Sequence, residues 1–239
     1  MKKKAAKPEL RILICMPVLG DVKSGCAFSV AQAALFFAQA KSDVAKYIDI
    51  QMVKSSNLVE NRHILVSRAL AFNATHLLFW DSDIKAPPDA IVRLVNHHLP
   101  IVAVNYAKKE PEARPTAYLD TDTYTGPCWT QKQHTGLQAV TSCGFGLMLI
   151  ETQVFEKLAP PFFEMSQIGQ HGLKTETEDV FFCHKAIDAG IDVVIDHDLS
   201  KEVAHIGDWE YMCSHSDIAR EAKQTLYRAM PTSGPDVPH

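Results

Sequence analysis

The sequence predicts an α/β sandwich built around a mostly parallel sheet, and two observations predict it. Short β-forming runs alternate with segments of helical period, which is the pattern of helices packed on both faces of such a sheet. The chain of 239 residues, 46% apolar and 22% charged, is long enough for one large core and too apolar for a disordered or fibrous chain. The β-like runs are Arg11–Met16, Ile48–Val53, His76–Trp80, Ile101–Val104 and Leu147–Ile150, with a further strand-like run over Ile191–Ile195.

In chain order, residues 1–9 form a basic, proline-ended tail, 10–230 a single domain, and 231–239, rich in Pro, Gly and Ser, a second tail. Lys2, Lys3 and Lys4 lead into no apolar core of a signal peptide, so secretion is not expected. Gln32 and Gln39 interrupt the longest apolar stretch well short of the roughly 20 residues a spanning helix needs, so no membrane insertion is expected and the cytoplasm is the expected location. Residues 26–40 and 57–73 are expected to be helices on the sheet, the second because Leu65, Ala69 and Phe72 recur at i, i+4, i+7. Thr175-x-x-Glu178 reads as a capping box opening a helix from about 176 to 189, with Val180, His184 and Ile187 on one face and Gly190 as its stop. Ile218, Ala222 and Leu226 mark a last helix. Segments 107–138 and 159–175 have no periodicity and are expected to be binding loops. The six cysteines form no C-x-x-C pair and read as buried free thiols in a reducing compartment. A net charge of −4 supplies no global field for a polyanion.

The residues that carry chemistry begin with Asp81-Ser82-Asp83, two carboxylates at the end of an apolar strand. Ligands of open α/β sheets sit outside the carboxyl ends of the strands, and closely spaced oxygen ligands suit Mg²⁺ or Mn²⁺ holding a diphosphate. A blander reading makes Asp81 the start of a turn and Asp83 the cap of the helix after Pro87-Pro88. Asn61-Arg62 offers donors to a phosphate, whereas Arg68 reads as a solvated arginine. Gly144-Phe145-Gly146 before a strand allows close approach of a ligand, or a β-bulge. In Glu178-Asp179, Glu178 has the structural duty of the capping box, which leaves Asp179 as the candidate base. His205 is a candidate metal ligand, while His97-His98 looks like a solvated helix end.

The order of these motifs, from Met16-Pro17 to His205, resembles a GT-A-fold glycosyltransferase, in particular the compact family-2-like enzymes of bacteria and their viruses; the segments HLLFWDSD, VAVNYAKK, GFGLMLIE and EDVFFCHKA carry the resemblance. It implies a GT-A-like sandwich and a sugar moved from a nucleoside-diphosphate sugar to an acceptor hydroxyl, with inversion if Asp179 only activates the acceptor. On the same resemblance Asp81, Asp83 and His205 hold Mn²⁺ or Mg²⁺, and Asp179 beside Glu178 supplies the base. Pro17, Arg62, Asp81, Ser82, Gly144 and Phe145 then line the donor. The acceptor is a glycan, lipid, protein or hydroxymethylated DNA base, the last using Lys108, Lys109 and Arg114 on phosphates and Tyr118, Tyr124, Trp129 and Phe162 for stacking. Two alternatives are a nucleotidyltransferase, for which Leu19-Gly20-Asp21-Val22-Lys23-Ser24-Gly25 is a poor phosphate loop, and a non-catalytic carbohydrate- or nucleotide-binding module.

Overall fold

A computed structural model describes residues 9–121, 123–168 and 174–229. The expected C-terminal tail, and the N-terminal one except Glu9, lie outside the described residues. Strand β1 (Glu9–Val18) is followed by α1 (Ser24–Gln39), β2 (Ala45–Lys54), α2 (Leu58–Ala71), β3 (His76–Trp80), the two-residue β4 (Ile84–Lys85), α3 (Ala90–Asn96) and β5 (Ile101–Ala103). The middle of the chain contains the hairpin β6 (Tyr118–Thr121) and β7 (Tyr124–Pro127), then β8 (Leu137–Val140), β9 (Leu147–Glu151) and α4 (Thr152–Lys157). The rest comprises β10 (Ser166–Ile168), β11 (Lys174–Glu176), α5 (Glu178–Asp188), β12 (Val193–Asp196), α6 (His197–Ser200), β13 (Ala204–Ile206), β14 (Glu210–Tyr211) and α7 (Cys213–Ala229).

The main sheet has the order β2-β1-β3-β9-β5-β12-β8. Pairs β1–β2, β1–β3 and β5–β12 are parallel, while β9 runs antiparallel between β3 and β5, and β8 antiparallel beside β12. Five strands therefore share one direction, and the expected sandwich with a mostly parallel sheet is formed. Both faces are buried. Leu13, Cys15, Leu77 and Phe79 pack with Leu65 and Ala69 of α2 and Phe182 of α5, whereas Ile12, Ile14, Leu78 and Trp80 pack with Val30 and Phe37 of α1 and Ile91 of α3. Double burial explains why β1 and β3 read as continuous apolar runs. Although α1 is apolar nearly all round, only the face of Cys26, Val30, Ala33 and Phe37 is buried; Phe28, Leu35 and Phe36 are exposed.

Three expectations are corrected. Thr175 lies in β11, paired with Gln167 of β10, so the capping box does not form: extended pairing delays the helix, Thr177 becomes its N-cap, and Glu178 turns into the interior. Residues 107–138 are not an open loop, because the β6–β7 hairpin folds onto the body and buries Ala117, Cys128 and Thr130; of 159–175, the described part contains β10 and β11. The helix end at His97-His98 is solvated only in part: His98 is exposed, but His97, the C-cap of α3, has its Nε2 2.9 Å from Asp196 Oδ2. All six cysteines are buried free thiols, as expected. Among the described residues no helix is long and apolar enough to cross a membrane.

Candidate active site

The site is built around the end of β3. Trp80, fully buried, donates its indole N–H to Ile84 O at 2.9 Å and so folds the chain back just after the strand. The three carbonyls of Asp81-Ser82-Asp83 are each taken by a different element: Asp81 O by the Cys26 thiol of α1 at 3.3 Å, Ser82 O by Lys23 N at 2.9 Å, and Asp83 O by Ile206 N of β13 at 2.7 Å. Backbone tied at three points leaves the two carboxylates little freedom. Asp83 does not cap α3, whose N-cap is Asp89.

Arg62 holds the first carboxylate. Its side chain is 3% exposed, with Nη2 3.4 Å from Asp81 Oδ1 and Nε donating to Glu178 Oε1 at 3.2 Å, and its guanidinium lies over the rings of Phe145 (4.9 Å) and Phe79 (5.4 Å). Burial alone would favour the neutral form, but the charges of Asp81, Glu178 and Asp179 outweigh it and raise the arginine's pKa. Burial in turn raises the pKa of both Asp81 and Glu178 against the opposing pull of Arg62. Arg62 is thus a hub joining β3 to α5, with Nε and Nη2 on carboxylates, and Asn61, fully buried, is spent on Ser55. Arg62 Nη1 is a buried atom without a hydrogen-bond partner among the described residues. Arg68 sits at the surface, bonded to Gln51 and Met52 O.

Asp83 faces β13. His205 Nε2 stands 3.4 Å from Asp83 Oδ1, and His205 Nδ1 is 3.0 Å from Ala107 O. A carbonyl only accepts, so Nδ1 carries a proton; Nε2 donates to the Asp83 carboxylate when the ring is protonated and faces it as a second acceptor when the ring is neutral. In the neutral form the two acceptors together can receive a cation. Asp83 Oδ2 is taken by the Lys109 ammonium. Burial would raise the Asp83 pKa, but its hydrogen bonds with His205 and Lys109 prevail and lower it. Among the described residues no three His, Cys, Asp or Glu side chains cluster as a complete metal site; of the three ligands expected from the sequence, Asp83 and His205 face each other and Asp81 turns its Oδ1 to Arg62.

Asp179 is half-buried in the first turn of α5, its Oδ1 accepting from Val180 N at 2.8 Å and from the Thr177 hydroxyl. Its Oδ2 is bound by nothing among the described residues, and its charge acts on both Asp81 and Arg62. Of the two neighbouring acids, Glu178 is locked inward and Asp179 retains an open oxygen.

Tyr106 explains the glycines before β9. A Cβ on Gly146 would stand 2.5 Å from its Cε1 and Cζ, and one on Gly144 2.5 Å from its hydroxyl oxygen. The Tyr106 hydroxyl accepts from Gly146 N at 3.2 Å, and the ring meets His205 edge-on, 5.2 Å between centroids. The glycines make room for a tyrosine. Phe145, 1% exposed in a cluster with Phe79, Phe163 and Phe182, does not line a donor cleft either. Gly146→Ala is expected to cost about 1–3 kcal/mol in urea denaturation, the range for forcing an extra methyl into packed structure. Pro17 is buried in β1 opposite Val53, and Ser82 is half-buried at the turn.

The proposed DNA contacts are already engaged: Arg114 pairs with Glu110, Lys108 donates to the Tyr118 hydroxyl at 3.0 Å, and Lys109 binds Asp83. Trp129 lies under Arg220, and Phe162 packs on His63 and Phe155; Tyr124 alone of the four expected aromatics is well exposed. Tyr106 escaped the sequence reading, and Lys109 was expected on the phosphates of a DNA acceptor rather than beside Asp83. Both follow β5, which exits at the same end of the sheet as β3, so strand order rather than any motif places them here.

No protein-family model and no curated protein matches the sequence. Among solved structures, that of A197 from STIV is similar over 83% of this chain and 87% of that one, with 19% identity and a TM-score of 0.50. The Drosophila β1,4-galactosyltransferase 7 in complex with manganese, UDP-Gal and xylobiose aligns over 94% and 82% with 14% identity and a TM-score of 0.47. A nucleoside-diphosphate-sugar pyrophosphorylase from Vibrio cholerae aligns over 81% and 94% with 13% identity and a TM-score of 0.43. The likeness to A197 is one of fold and extends over more than four-fifths of both chains.

Proposed function

We propose that this protein is a metal-dependent glycosyltransferase of the GT-A, family-2-like kind, which moves a sugar from a nucleoside-diphosphate sugar to an acceptor hydroxyl with inversion. The observation that carries the reading is the end of β3, where Asp83 and His205 face each other and the charge of Asp179, whose Oδ1 alone is engaged among the described residues, acts on the neighbouring Asp81. Two protein donors fit Mn²⁺ or Mg²⁺ bound together with a diphosphate, because such ions are commonly held by one or two carboxylates plus substrate phosphates. The ion, when bound, supplies charge neutralisation for the departing diphosphate. The chain's own residues do the rest. Asp179 Oδ2 accepts the proton of the acceptor hydroxyl, whose oxygen bonds to the anomeric carbon as the bond to the diphosphate breaks. Arg62, holding Glu178 and Asp81 at once, keeps the base-bearing helix in register with the β3 end.

The engagement of Lys108 with Tyr118 and of Arg114 with Glu110 favours a glycan, lipid or protein hydroxyl over a DNA base as acceptor. A nucleotidyltransferase is disfavoured because Lys23, the basic residue of the β1–α1 loop, spends its backbone N–H on Ser82 O. Calorimetry with UDP, GDP, ADP and CDP tests the reading: at least one should bind in Mn²⁺ and lose affinity in EDTA, and Asp83→Ala should abolish that difference. Equal affinity in Mn²⁺ and EDTA would remove the metal from the proposal.

A further inference from the structure

We infer that Lys109 is a tethered cation: it holds Asp83 while the site is empty, yields that carboxylate to the divalent ion, and then binds the donor's diphosphate. The inference rests on the metal reading above and adds a residue to it. Its first support is placement, for the Lys109 ammonium binds Oδ2 of the carboxylate whose Oδ1 faces His205 Nε2. An ammonium and a divalent ion repel each other, so an ion seated between Asp83 and His205 drives the ammonium off this carboxylate.

The second support is the way the stem is held. Lys109 crosses the chain at Gly207, where a Cβ would stand 3.1 Å from Lys109 Cδ, 3.4 Å from its Cγ and 2.9 Å from the Tyr211 ring. Residue 207 is bare and the stem occupies the passage. Backbone bonds hold the flanking residues as well, with Lys108 N donating to Arg114 O at 2.8 Å, Glu110 N to Lys108 O at 2.9 Å, and Ala107 O meeting His205. The stem is clamped and the head swings, so a displaced ammonium stays beside the ion. The third support is charge balance. One dication, the Asp83 carboxylate and the two negative charges of a nucleotide-sugar diphosphate sum to one negative charge, and Arg62, already shared between Asp81 and Glu178, cannot offset it, which leaves that part to Lys109.

The test uses Lys109→Met, which keeps the apolar stem and removes the charge, beside Lys109→Arg and Asp83→Ala in the full chain. Binding of Mn²⁺ alone, read by the loss of the free-ion paramagnetic resonance signal, should tighten about tenfold in Lys109→Met, the size of one charge-assisted contact removed from competition. Binding of the nucleoside diphosphate in Mn²⁺ should weaken by about tenfold in the same variant and recover in Lys109→Arg. If Asp83→Ala loses Mn²⁺ while Lys109→Met binds it with wild-type affinity, the tethered cation is overturned and the metal site stands. If neither wild type nor Lys109→Met binds Mn²⁺, the metal reading fails and takes this inference with it. Thermal melts check folding, and Lys109→Gln repeats both measurements should the Met variant not fold.

Discussion

Asp179→Asn is expected to slow release of nucleoside diphosphate from the nucleotide-sugar, with and without acceptor, by about 10²-fold or more, the contribution of one positioned general base. The substitution preserves shape and the Oδ1 bonds to Val180 N and Thr177 while removing the proton acceptor, so donor affinity in calorimetry should stay within about twofold. Glu178→Gln is the control that separates the neighbours. It weakens a buried ion pair with Arg62, so its effect belongs in the melting temperature and not in a selective loss of turnover. A Glu178→Gln chain that melts normally but no longer transfers sugar, beside an active Asp179→Asn chain, would move the base to Glu178.

Arg62→Met is expected to cost about 3–5 kcal/mol, the range for stripping one partner from a buried ion pair. Met fills much of the space between the rings of Phe79 and Phe145, so the loss comes chiefly from Asp81 and Glu178 left facing each other without their cation. The sign of the pH effect follows. Burial already raises both carboxyl pKa values with Arg62 in place, and its removal raises them further. The folded variant then holds more protons than the unfolded chain between the unfolded carboxylate pKa and the raised folded ones, so its stability falls as pH rises through that window. Urea denaturation at several pH values reads this: relative to wild type, the deficit should shrink as pH falls toward about 4, where unfolded carboxylates begin to protonate. A deficit constant across that range would mean the two carboxylates do not govern the cost.

The parts of the fold legible in the sequence are those ruled by local pattern. His76–Trp80 was readable as a strand because both of its faces are buried, and α2 because Leu65 and Ala69 lie one turn apart. The direction of β9 was not readable, since an apolar run looks the same whether it pairs parallel or antiparallel. Thr175-x-x-Glu178 misled for a related reason. The motif is local, but β10 pairing holds Thr175 extended and a partner 116 positions away draws Glu178 inward. At the site, the acids were visible as a strand ending in Asp81-Ser82-Asp83, whereas the partners of those acids, Arg62 and Lys109, are fixed by long-range packing that no spacing encodes. Gly144 and Gly146 showed that something approaches closely without showing that it is Tyr106.

Because β9 runs against its neighbours, the chain leaves β5 and re-enters β9 at the same end of the sheet, where Val104 N donates to Leu147 O at 3.0 Å. Everything from Asn105 to Gly146, including the β6–β7 hairpin and β8, is an excursion whose two stems are already joined. Lengthening such an excursion is thermodynamically cheap, since each doubling of a closed loop adds only about 0.6 kcal/mol of closure entropy. Added residues are therefore tolerated beside the exposed Thr121 and Tyr124, whereas Tyr106 and Lys109 tie the stem to the β3 acids and β8 belongs to the main sheet. The molecule thus keeps its acids on one end of the sheet and beside them an excursion, one contiguous stretch of gene, that can grow at its tip without re-laying the sheet.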